Sequence, residues 1–502
     1  MTTGRCHARG GSRRAARVVA AGELAGQSRA LLDEGHRLAL VACHDDGDAL
    51  RCVYLFLAAA PERRVELHVH LDPVRPEVPT LAGLSFPAGR FEREMHDLFG
   101  VVPVGHPLPR RLVRHPNWPA GWYPMRRDAG DPPPFALDSE PYPFLEVEGT
   151  GVYEIPVGPI HAGIIEPGHF RFSVVGETIL KLKARLWFVH RGVERCFEGR
   201  HAEDGIELAE RISGDTAAAH SLAYALAVED ASSWDVGEDA QRLRALVVEL
   251  ERITNHVADL GALANDAGYS VLNGHALALR ERMLRMNEQV TGHRLLRGAI
   301  APGGVRLRAL PDLAELDAIA AGAAEVARNA LRNTTVRDRF TGTAVLSADD
   351  AAALGCLGVV ARASGVPGDA RVEHPVCELP VATVVHTGGD VLSRFLVRRD
   401  EVAASVELVR ELCARAGGRT AHTTDAPGDA AAPAGGTGVV EGWRGTIVHR
   451  VELAGGRLTR VKVVDPSWFN WPALPVALVN TIVPDFPLAN KSFNLSYAGN
   501  DL

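Results

Sequence analysis

Hydrophobic and polar positions along residues 37 to 72 follow the pattern of β-strands. Two apolar runs, "HRLALVAC" and "LRCVYLFLA", are separated by the turn-forming stretch "HDDGD". In the next segment apolar and polar residues alternate: Val65, Glu66, Leu67, His68, Val69, His70 and Leu71. This period of two predicts three strands, and it predicts that His68 and His70 face solvent rather than bind a metal.

A helical period of apolar residues dominates the second half of the chain. Residues 240 to 264 place eight apolar side chains on one helical face: Leu243, Leu246, Val247, Leu250, Ile253, Val257, Leu260 and Leu263. The same period continues in "LRERMLRMNEQVTG", "PDLAELDAIAAGAAEVARNALR" and "EVAASVELVRELCARAG". These segments predict a helical bundle.

Other segments separate these elements or add strands to them. Residues 104 to 145 are rich in Pro, Trp and Arg and predict an extended strap, with a domain boundary near residue 145. A strand pair is expected between residues 152 and 175, and two more strands in "GTIVHRVEL" and "RLTRVKVVDP" near the end. Residues 298 to 304 and 416 to 438 are expected to interrupt the helices, the latter as a mobile loop.

Composition narrows the possible functions. A length of 502 residues predicts two or three domains, and a hydrophobic content of 46% suffices for their cores. The net charge of -8 comes without a basic stripe, which argues against a nucleic-acid partner. No apolar run is long enough to cross a membrane. The seven cysteines include no Cys-x-x-Cys pair, which argues against disulfides and against a self-contained zinc or iron-sulfur site.

The stretch "EREMHDLFGVVPVGHPLPRRLV", from Glu92 to Val113, resembles the signature of the 30-kDa (C) subunit of respiratory complex I. The charged residues at that family's spacing are Glu92, Arg93, Glu94, Asp97, His106 and Arg110. Mixed charges around a Leu-Phe pair suit a seam between subunits that is held by ion pairs. A solvated helix end is the alternative.

The remainder of the chain is similar to the 49-kDa (D) subunit of complex I. It resembles more closely the large subunit of membrane-bound nickel-iron hydrogenases, including the formate hydrogenlyase type. The matching pieces include "VGPIHAGIIEPGHFRF", "FVHRGVERCFEGR", "ERISGDTAAAHSLAYALAVE", "ELERITNHVADLG" and "EGWRGTIVHRVEL". The resemblance implies an α+β protein. An α/β domain like the 30-kDa subunit would span residues 1 to 145, and a hydrogenase-like helical bundle with a small sheet would span residues 146 to 502.

The resemblance also locates a metal site, and the chain departs from the family there. Hydrogenases of this type bind nickel and iron through two Cys-x-x-Cys pairs, which here correspond to Ser213 and Thr216 and to Ser467 and Asn470. Hydroxyl and amide groups keep their protons near neutral pH and do not replace thiolates at nickel. We therefore expect no metal at these positions and no nickel-iron hydrogenase activity.

The quinone contacts that the resemblance to the 49-kDa subunit implies are missing as well. The tyrosine position of that family falls at Gly214, and its histidine position falls close to Pro167. The loop "HAGIIEPGHFR" retains His161, Glu166 and His169, which are candidates for lining a quinone pocket; a simple turn is the alternative.

The polar residues around the former metal site are the remaining candidates for chemistry. Asp215 and His220 lie five residues apart on a predicted helix, and the resemblance brings Asp465 and Arg362 near them. Such a set could relay protons or bind a polar headgroup, or it could only satisfy hydrogen bonds in a core. The segment "HRGVER" resembles the family's segment near the partner's iron-sulfur cluster. Arg191 is expected to pair with Glu194, and tuning of the cluster potential by its charge is the alternative.

These observations predict a peripheral subunit of a complex I-like or hydrogenase-related oxidoreductase at the cytoplasmic face of the cell membrane. Its partners would be a small subunit that carries an iron-sulfur cluster and antiporter-like membrane subunits. The acceptor would be quinone-like, and electron transfer would be coupled to ion movement. The chain itself would bind no other cofactor, and NADH would be handled by other subunits, because no Gly-x-Gly-x-x-Gly follows a strand. The alternative is a redox-inactive scaffold that keeps the hydrogenase fold.

Overall fold

The N-terminal region folds around one mixed sheet. The computed structural model describes residues 14–59, 62–136, 142–162, 165–426 and 433–502. The first elements are β1 (Arg14–Val18), α1 (Leu24–Asp33), β2 (Arg37–Asp45), β3 (Leu50–Ala58), β4 (Arg63–Leu71), β5 (Glu77–Pro79), α2 (Phe86–Phe99) and β6 (Val102–Val104). The sheet order is β1-β4-β3-β2, with β1 parallel to β4 and the other pairs antiparallel. The three strands predicted between residues 37 and 72 are confirmed.

The prediction that His68 faces solvent is wrong, because both faces of this sheet are covered. Helix α2 packs on β2, and the C-terminal part of the chain covers the opposite face. Glu66, which shares its face of β4 with His68, is 0% exposed and accepts hydrogen bonds from Arg450. His68 is only partly exposed and contacts the same carboxylate at 2.9 Å, whereas His70 does face solvent. A strand that is covered by a second domain can alternate polar and apolar residues without facing water.

The strap follows the prediction. In the described residues between Val104 and Val152 the backbone forms no helix or strand. Asp97 of α2 holds the strap, because its carboxylate accepts from the backbone amides of Leu112, Val113 and Arg114. The domain boundary at residue 145 stays a prediction.

The second region begins with a small sheet and continues into helices. The elements are β7 (Val152–Val157), β8 (His169–Val175), β9 (Thr178–Arg185), α3 (Val193–Phe197), α4 (Ile206–Ala209), α5 (Ala217–Ala231), α6 (Glu238–Asp266), α7 (Ser270–Thr291), β10 (Ile300–Ala301), β11 (Gly304–Arg306) and α8 (Leu313–Arg332). The predicted strand pair is present, and β9 adds a third strand to it. The predicted break at residues 298 to 304 separates α7 from α8.

The bundle continues with α9 (Thr334–Phe340), α10 (Ala348–Ala353), α11 (Gly358–Ala363), α12 (Ala370–Glu373) and α13 (Val391–Ala416). Helix α6 is its centre and packs against α7 on one side and α13 on the other. The apolar face predicted for residues 240 to 264 is buried, as Leu246, Leu250 and Ile253 are each 0% exposed. This burial of one continuous stripe per helix is the main source of stability in such a bundle.

A second sheet and short helices complete the chain. They are β12 (Ala421–Thr423), β13 (Ala434–Glu441), β14 (Thr446–Ala454), β15 (Arg457–Val464), α14 (Pro466–Asn470), α15 (Ala473–Ala477), α16 (Phe486–Phe493) and α17 (Tyr497–Asp501). The two predicted C-terminal strands are β14 and β15. The loop predicted for residues 416 to 438 is wrong in part, since β12 and the start of β13 lie in it; residues 427 to 432 lie outside the described chain.

Helix α5 lies directly on this second sheet. Gly436 and Gly438 of β13 allow the approach, because a Cβ at Gly438 would come within 1.9 Å of the Ala223 carbonyl oxygen. Helix α5 therefore lies between this sheet and α6 of the bundle. The fold is α+β, as predicted. In the described chain, no helix has the length and apolar content of a membrane span.

Candidate functional site: a vacated metal centre

The four positions that correspond to metal ligands come together in the structure, and we call them the vacated centre. Ser213 and Thr216 lie on the turn before α5, and Ser467 and Asn470 lie in α14. Their exposed fractions are 3%, 1%, 0% and 0%. Ser496 connects two of them, since its hydroxyl contacts the Ser213 hydroxyl at 2.9 Å and its backbone amide donates to the Ser467 hydroxyl at 2.9 Å.

The other two positions are also fully engaged in hydrogen bonds. Asn470 accepts from the Leu357 amide at 2.8 Å and donates to the Leu357 carbonyl at 3.1 Å. Thr216 accepts from the Arg444 guanidinium at 3.0 Å and donates to Asp215 at 3.1 Å. All four former ligand positions are therefore held by hydrogen bonds to their neighbours.

Arg444 places a positive charge next to the former ligand positions. It extends from the turn between β13 and β14 and forms two parallel hydrogen bonds to the Asp215 carboxylate, at 2.7 and 2.6 Å. Trp443 and Asn255 both donate to the Asp215 carbonyl at 2.9 Å. Desolvation raises the pKa of the Asp215 carboxyl, but the charge and hydrogen bonds of Arg444 outweigh it and leave the pKa below its ordinary value.

The structure corrects two expectations about the polar set. Asp215 precedes α5, which begins at Ala217, so it does not share a helix with His220. Arg362 makes its ion pairs elsewhere: its guanidinium lies 2.6 Å from Glu401 and 2.7 Å from Glu441, all three buried. The guanidinium beside Asp215 belongs to Arg444, which sequence reasoning missed, although it lies in the matching piece "EGWRGTIVHRVEL".

His220 and Asp465 do lie together, as expected, and His449 joins them. The Nε2 atom of His220 is 3.2 Å from the Asp465 carboxylate, and its Nδ1 atom is 2.9 Å from Nε2 of His449. If Asp465 accepts from a neutral His220, then His449 must donate to His220, and the Nδ1 lone pair of His449 is left without a partner in the described chain. Burial lowers the pKa of His449 far below its ordinary value, so this ring is neutral at pH 7.

This arrangement is a buried chain of two imidazoles that ends at a carboxylate. Asp465 also caps α14 by accepting from the Ser467 amide at 2.7 Å, which fixes its orientation. The His220 and His449 side chains are each 0% exposed. Chemically, such a chain can hold or pass a proton, and it can equally satisfy buried polar atoms between α5 and β14.

In the loop predicted to line a quinone pocket, His161, Glu166 and His169 each contact the backbone. His161 contacts the Gly168 carbonyl at 2.7 Å, and His169 contacts the Gly158 carbonyl at 3.2 Å. Glu166 accepts from the Ala498 amide at 3.0 Å and so ties the loop to α17. Each of the three thus contacts the backbone, and residues 163 and 164 of this loop lie outside the described chain.

Glu194 does not pair with Arg191, contrary to expectation. Its carboxylate lies 2.7 Å from Arg460 and 3.0 Å from Lys462, both on β15. Arg191 instead donates to the carbonyls of residues 211 and 212. Lys462 also contacts Glu94 of α2, so this ion cluster joins the two regions, in keeping with the seam suggested by the charged signature.

The donor set at the vacated centre does not fit a nickel-iron cluster. Two hydroxyls are joined through Ser496, the amide is bound to backbone, and a guanidinium lies against Thr216. Soft divalent metals require deprotonated thiolates, and a fixed cation next to the donors opposes binding of the metal itself.

A second cluster has the spacing of metal ligands. Donor atoms of His44, Asp46 and Glu452 lie within 4.8 Å of one another, at the seam between the two regions. Arg51 bonds both carboxylates, and Arg450 contacts Nε2 of His44 at 3.1 Å. The positive charge in this cluster is therefore already supplied by arginines.

Comparisons with known proteins agree with these features. Residues 18–132 match the family described as "Respiratory-chain NADH dehydrogenase, 30 Kd subunit", and residues 266–428 match its "49 Kd subunit". Residues 191–264, which contain α5 and most of α6, match "Nickel-dependent hydrogenase".

Individual relatives cover most of the chain. Formate hydrogenlyase subunit 5 of Escherichia coli is 31% identical over 87% of this chain and 79% of its own length. The C/D subunit of NADH-quinone oxidoreductase from Phocaeicola vulgatus is 30% identical over 67% of this chain and 70% of its own length. Among solved structures, a chain of a membrane-bound sulfane sulfur reductase, described as an archaeal respiratory membrane complex, has a TM-score of 0.64 at 26% identity and covers 72% of this chain and 100% of its own.

These relatives are subunits of complex I-like and hydrogenase-related complexes, and the matched families follow along this chain in the order 30-kDa subunit, hydrogenase, 49-kDa subunit. The chain belongs to the family of fused C/D-type subunits that includes the large subunits of formate hydrogenlyase-type hydrogenases and the C/D subunits of NADH-quinone oxidoreductase.

Proposed function

We propose that this chain is a peripheral subunit of a hydrogenase-related membrane complex in which the former metal centre serves as a structural joint. The observation that supports it most directly is the bidentate Asp215–Arg444 pair at the vacated centre. In this proposal the chain lies at the cytoplasmic face of the membrane. It binds an iron-sulfur subunit and antiporter-like membrane subunits.

The joint connects parts of the chain that are distant in sequence. Arg444 extends from the β13–β14 turn to Asp215, which precedes α5, and Ser496 connects the turn before α5 to α14. Through these contacts the sheet, the bundle and the C-terminal helices hold one relative position. A subunit that transmits force or holds an assembly needs this rigidity, whereas a catalytic metal site needs an open coordination position.

A second candidate keeps a redox role for the chain. Ile160 is 89% exposed and Ile165 is 51% exposed, and both flank the loop that carries His161 and Glu166. Exposed apolar side chains at a loop suit contact with an apolar partner or with the ring of a quinone. Under this candidate, two electrons from the partner's cluster and two protons would reduce a quinone to a quinol at this loop, and His220 and Asp465 would relay protons.

One experiment separates the two candidates. The whole complex is purified with wild-type chain, with Arg444→Gln and with His220→Gln, and each preparation is tested for the subunits it retains and for reduction of a soluble quinone. The structural proposal expects Arg444→Gln to lose subunits and His220→Gln to keep both assembly and turnover. An assembled His220→Gln complex that has lost quinone reduction would overturn it in favour of the second candidate. Stoichiometric nickel in the wild-type chain would overturn both.

A further inference from the structure

A cavity of about 300 Å³ lies between the N-terminal region and the second region, away from the vacated centre. We call it the seam cavity. Four arginines line it: Arg90 and Arg93 of α2, Arg110 of the strap, and Arg185 of β9. The described residues that line it include no aspartate or glutamate. Its remaining walls are largely apolar and aromatic, with Leu108, Leu186, Trp187 and Trp471 among them.

The hydrogen bonds of these arginines leave their charge uncompensated. Arg93 donates to the carbonyls of Arg110 and Arg111, and Arg185 donates to the carbonyls of Leu112, Val113 and Arg114. Carbonyl oxygens satisfy N–H groups but carry no net negative charge.

The other two arginines are bound in the same way. Arg90 donates to the Trp468 carbonyl and to the Asn500 amide oxygen, and Arg110 donates to the Pro143 carbonyl. In the described chain no carboxylate lies within ion-pair distance of any of the four. Two of their Nε atoms, in Arg110 and in Arg185, which is 3% exposed, are buried without a hydrogen-bond partner.

Burial makes this charge costly. Burial, and after it the charge of Arg93, lowers the pKa of Arg90 to about 9, and burial also lowers the pKa of Arg185. Three carboxylates act on these arginines from beyond ion-pair distance, and each is already engaged elsewhere. Asp97 is bound by three backbone amides of the strap, Glu94 by Lys462, and Asp501 by the Val189 amide. An anion in the cavity would offset a cost that the chain itself compensates only in part.

Two other cavities of the described chain lack this imbalance. The cavity around Arg51, Arg127 and Arg460 is also lined by Asp46, Glu198 and Glu452, and the cavity around Arg14 and Arg64 also contains Glu229 and Asp230. In these two cavities carboxylates balance the arginines, and at the seam cavity they do not.

We propose that the seam cavity binds a small amphiphilic anion, with a phosphate or carboxylate group held by the four guanidiniums and an apolar portion against Trp187, Trp471 and Leu108. Guanidinium groups bind such oxyanions through paired N–H donors, and aromatic walls accept the apolar portion. The volume suits one small ligand. A phosphate ester in solution and the phosphate headgroup of a lipid offer the same chemistry. This site is independent of the proposed structural joint.

Isothermal titration calorimetry of the purified full chain with octyl phosphate tests the proposal. The expected result is one binding site per chain, an affinity at least about tenfold lower in Arg110→Gln, and no binding of octyltrimethylammonium. Arg110 is half-buried and donates one hydrogen bond, so the variant is expected to fold. The matched control is Arg127→Gln, which removes an arginine from a balanced cavity and is expected to leave the affinity unchanged.

Two further measurements identify the ligand. Leu108→Ser is expected to weaken octyl phosphate and to leave inorganic phosphate unaffected, because it changes only the apolar wall. Competition by inorganic phosphate would assign the site to soluble phosphate esters. Binding only to vesicles of phosphatidylglycerol, and not of phosphatidylcholine, would assign it to a lipid headgroup. Equal affinities of wild type and Arg110→Gln for octyl phosphate, or absence of binding to every anionic probe, would overturn the proposal.

Discussion

The vacated centre and the seam cavity both contain buried guanidinium groups, and they differ in what these groups face. At the vacated centre Arg444 meets the Asp215 carboxylate and the space is filled by side chains. At the seam cavity Arg185 and its neighbours meet backbone carbonyls, and a cavity of about 300 Å³ remains open. A compensated charge next to filled space indicates a structural role, whereas an uncompensated charge next to open space indicates a ligand.

The largest effect is expected from breaking the compensated pair. Asp215→Leu leaves Arg444, whose side chain is 6% exposed, without its carboxylate. We expect a loss of about 3 kcal/mol in the free energy of unfolding, measured by urea denaturation; the 38% exposure of the Asp215 side chain places the loss at the low end for a broken buried pair. The double variant Asp215→Leu/Arg444→Leu should recover most of it.

The control for this pair is Asp128→Leu, which removes the 71% exposed partner of Arg126. It should cost less than about 1 kcal/mol. If Asp215→Leu were no more costly than this control, the vacated centre would not be a joint.

The next effect concerns Glu251, a buried carboxyl that lies beside the joint. It accepts from the amides of Ala218 and Ala219 at the start of α5, and burial raises its pKa to about 8. A carboxyl whose pKa is raised on folding stabilises the fold in its protonated form. That contribution is complete below about pH 4.5 and is lost as the pH rises toward 8.

Glu251→Gln should therefore reduce the decrease in the free energy of unfolding between about pH 4.5 and 8 by about 4 kcal/mol, as seen in unfolding free energies measured at each pH. Glu411→Gln, at a partly exposed position on α13, should leave the slope unchanged. An identical slope in wild type and Glu251→Gln would contradict the assignment.

A smaller effect is expected at the hydroxyl bridge. Ser496→Ala removes both the N-cap of α17 and the contact with Ser213. Ser347→Ala removes the N-cap of α10 and an exposed hydrogen bond to Asp350 but no bridge, so it measures the loss of a cap at a surface position. The difference between the two variants should be about 1 kcal/mol, measured as unfolding free energy. No difference would mean that the bridge contributes nothing to the joint.

The smallest effect on stability is expected at the seam cavity. Arg110→Gln without ligand should change the free energy of unfolding by less than about 0.5 kcal/mol, because it removes one hydrogen bond from a half-buried side chain. A large destabilisation would instead show that this arginine is structural. The seam cavity would then resemble the vacated centre.

Sequence patterns predicted the elements better than their surroundings. The period of two identified β2, β3 and β4, and the helical period identified α6, because each pattern reflects burial on one face. The same pattern misplaced His68, since the second region covers its face of the sheet and contributes Arg450, which bonds Glu66 from 384 residues away in sequence. Periodicity carries no information about such distant partners.

Only part of the candidate site could be predicted, because a sequence pattern does not identify partners that are distant in sequence. The four former ligand positions and the His220–Asp465 contact follow from the family resemblance, and the structure brings them together. Arg362 and Arg444 could not be told apart, because the matching pieces contain several arginines and only the fold decides which guanidinium reaches Asp215. The roles assigned to His161, Glu166 and His169 stay predictions.

The Arg444 side chain also affects what substitutions at the former ligand positions would do. A return to metal binding by substitution at positions 213, 216, 467 and 470 would place four thiols beside a cation that is already paired and packed. Loss of the Arg444 guanidinium alone would leave the Asp215 carboxylate without its ion-pair partner. Thr216 and Asp215 share this one guanidinium, so a substitution at position 216 also changes the environment of the Asp215 carboxylate.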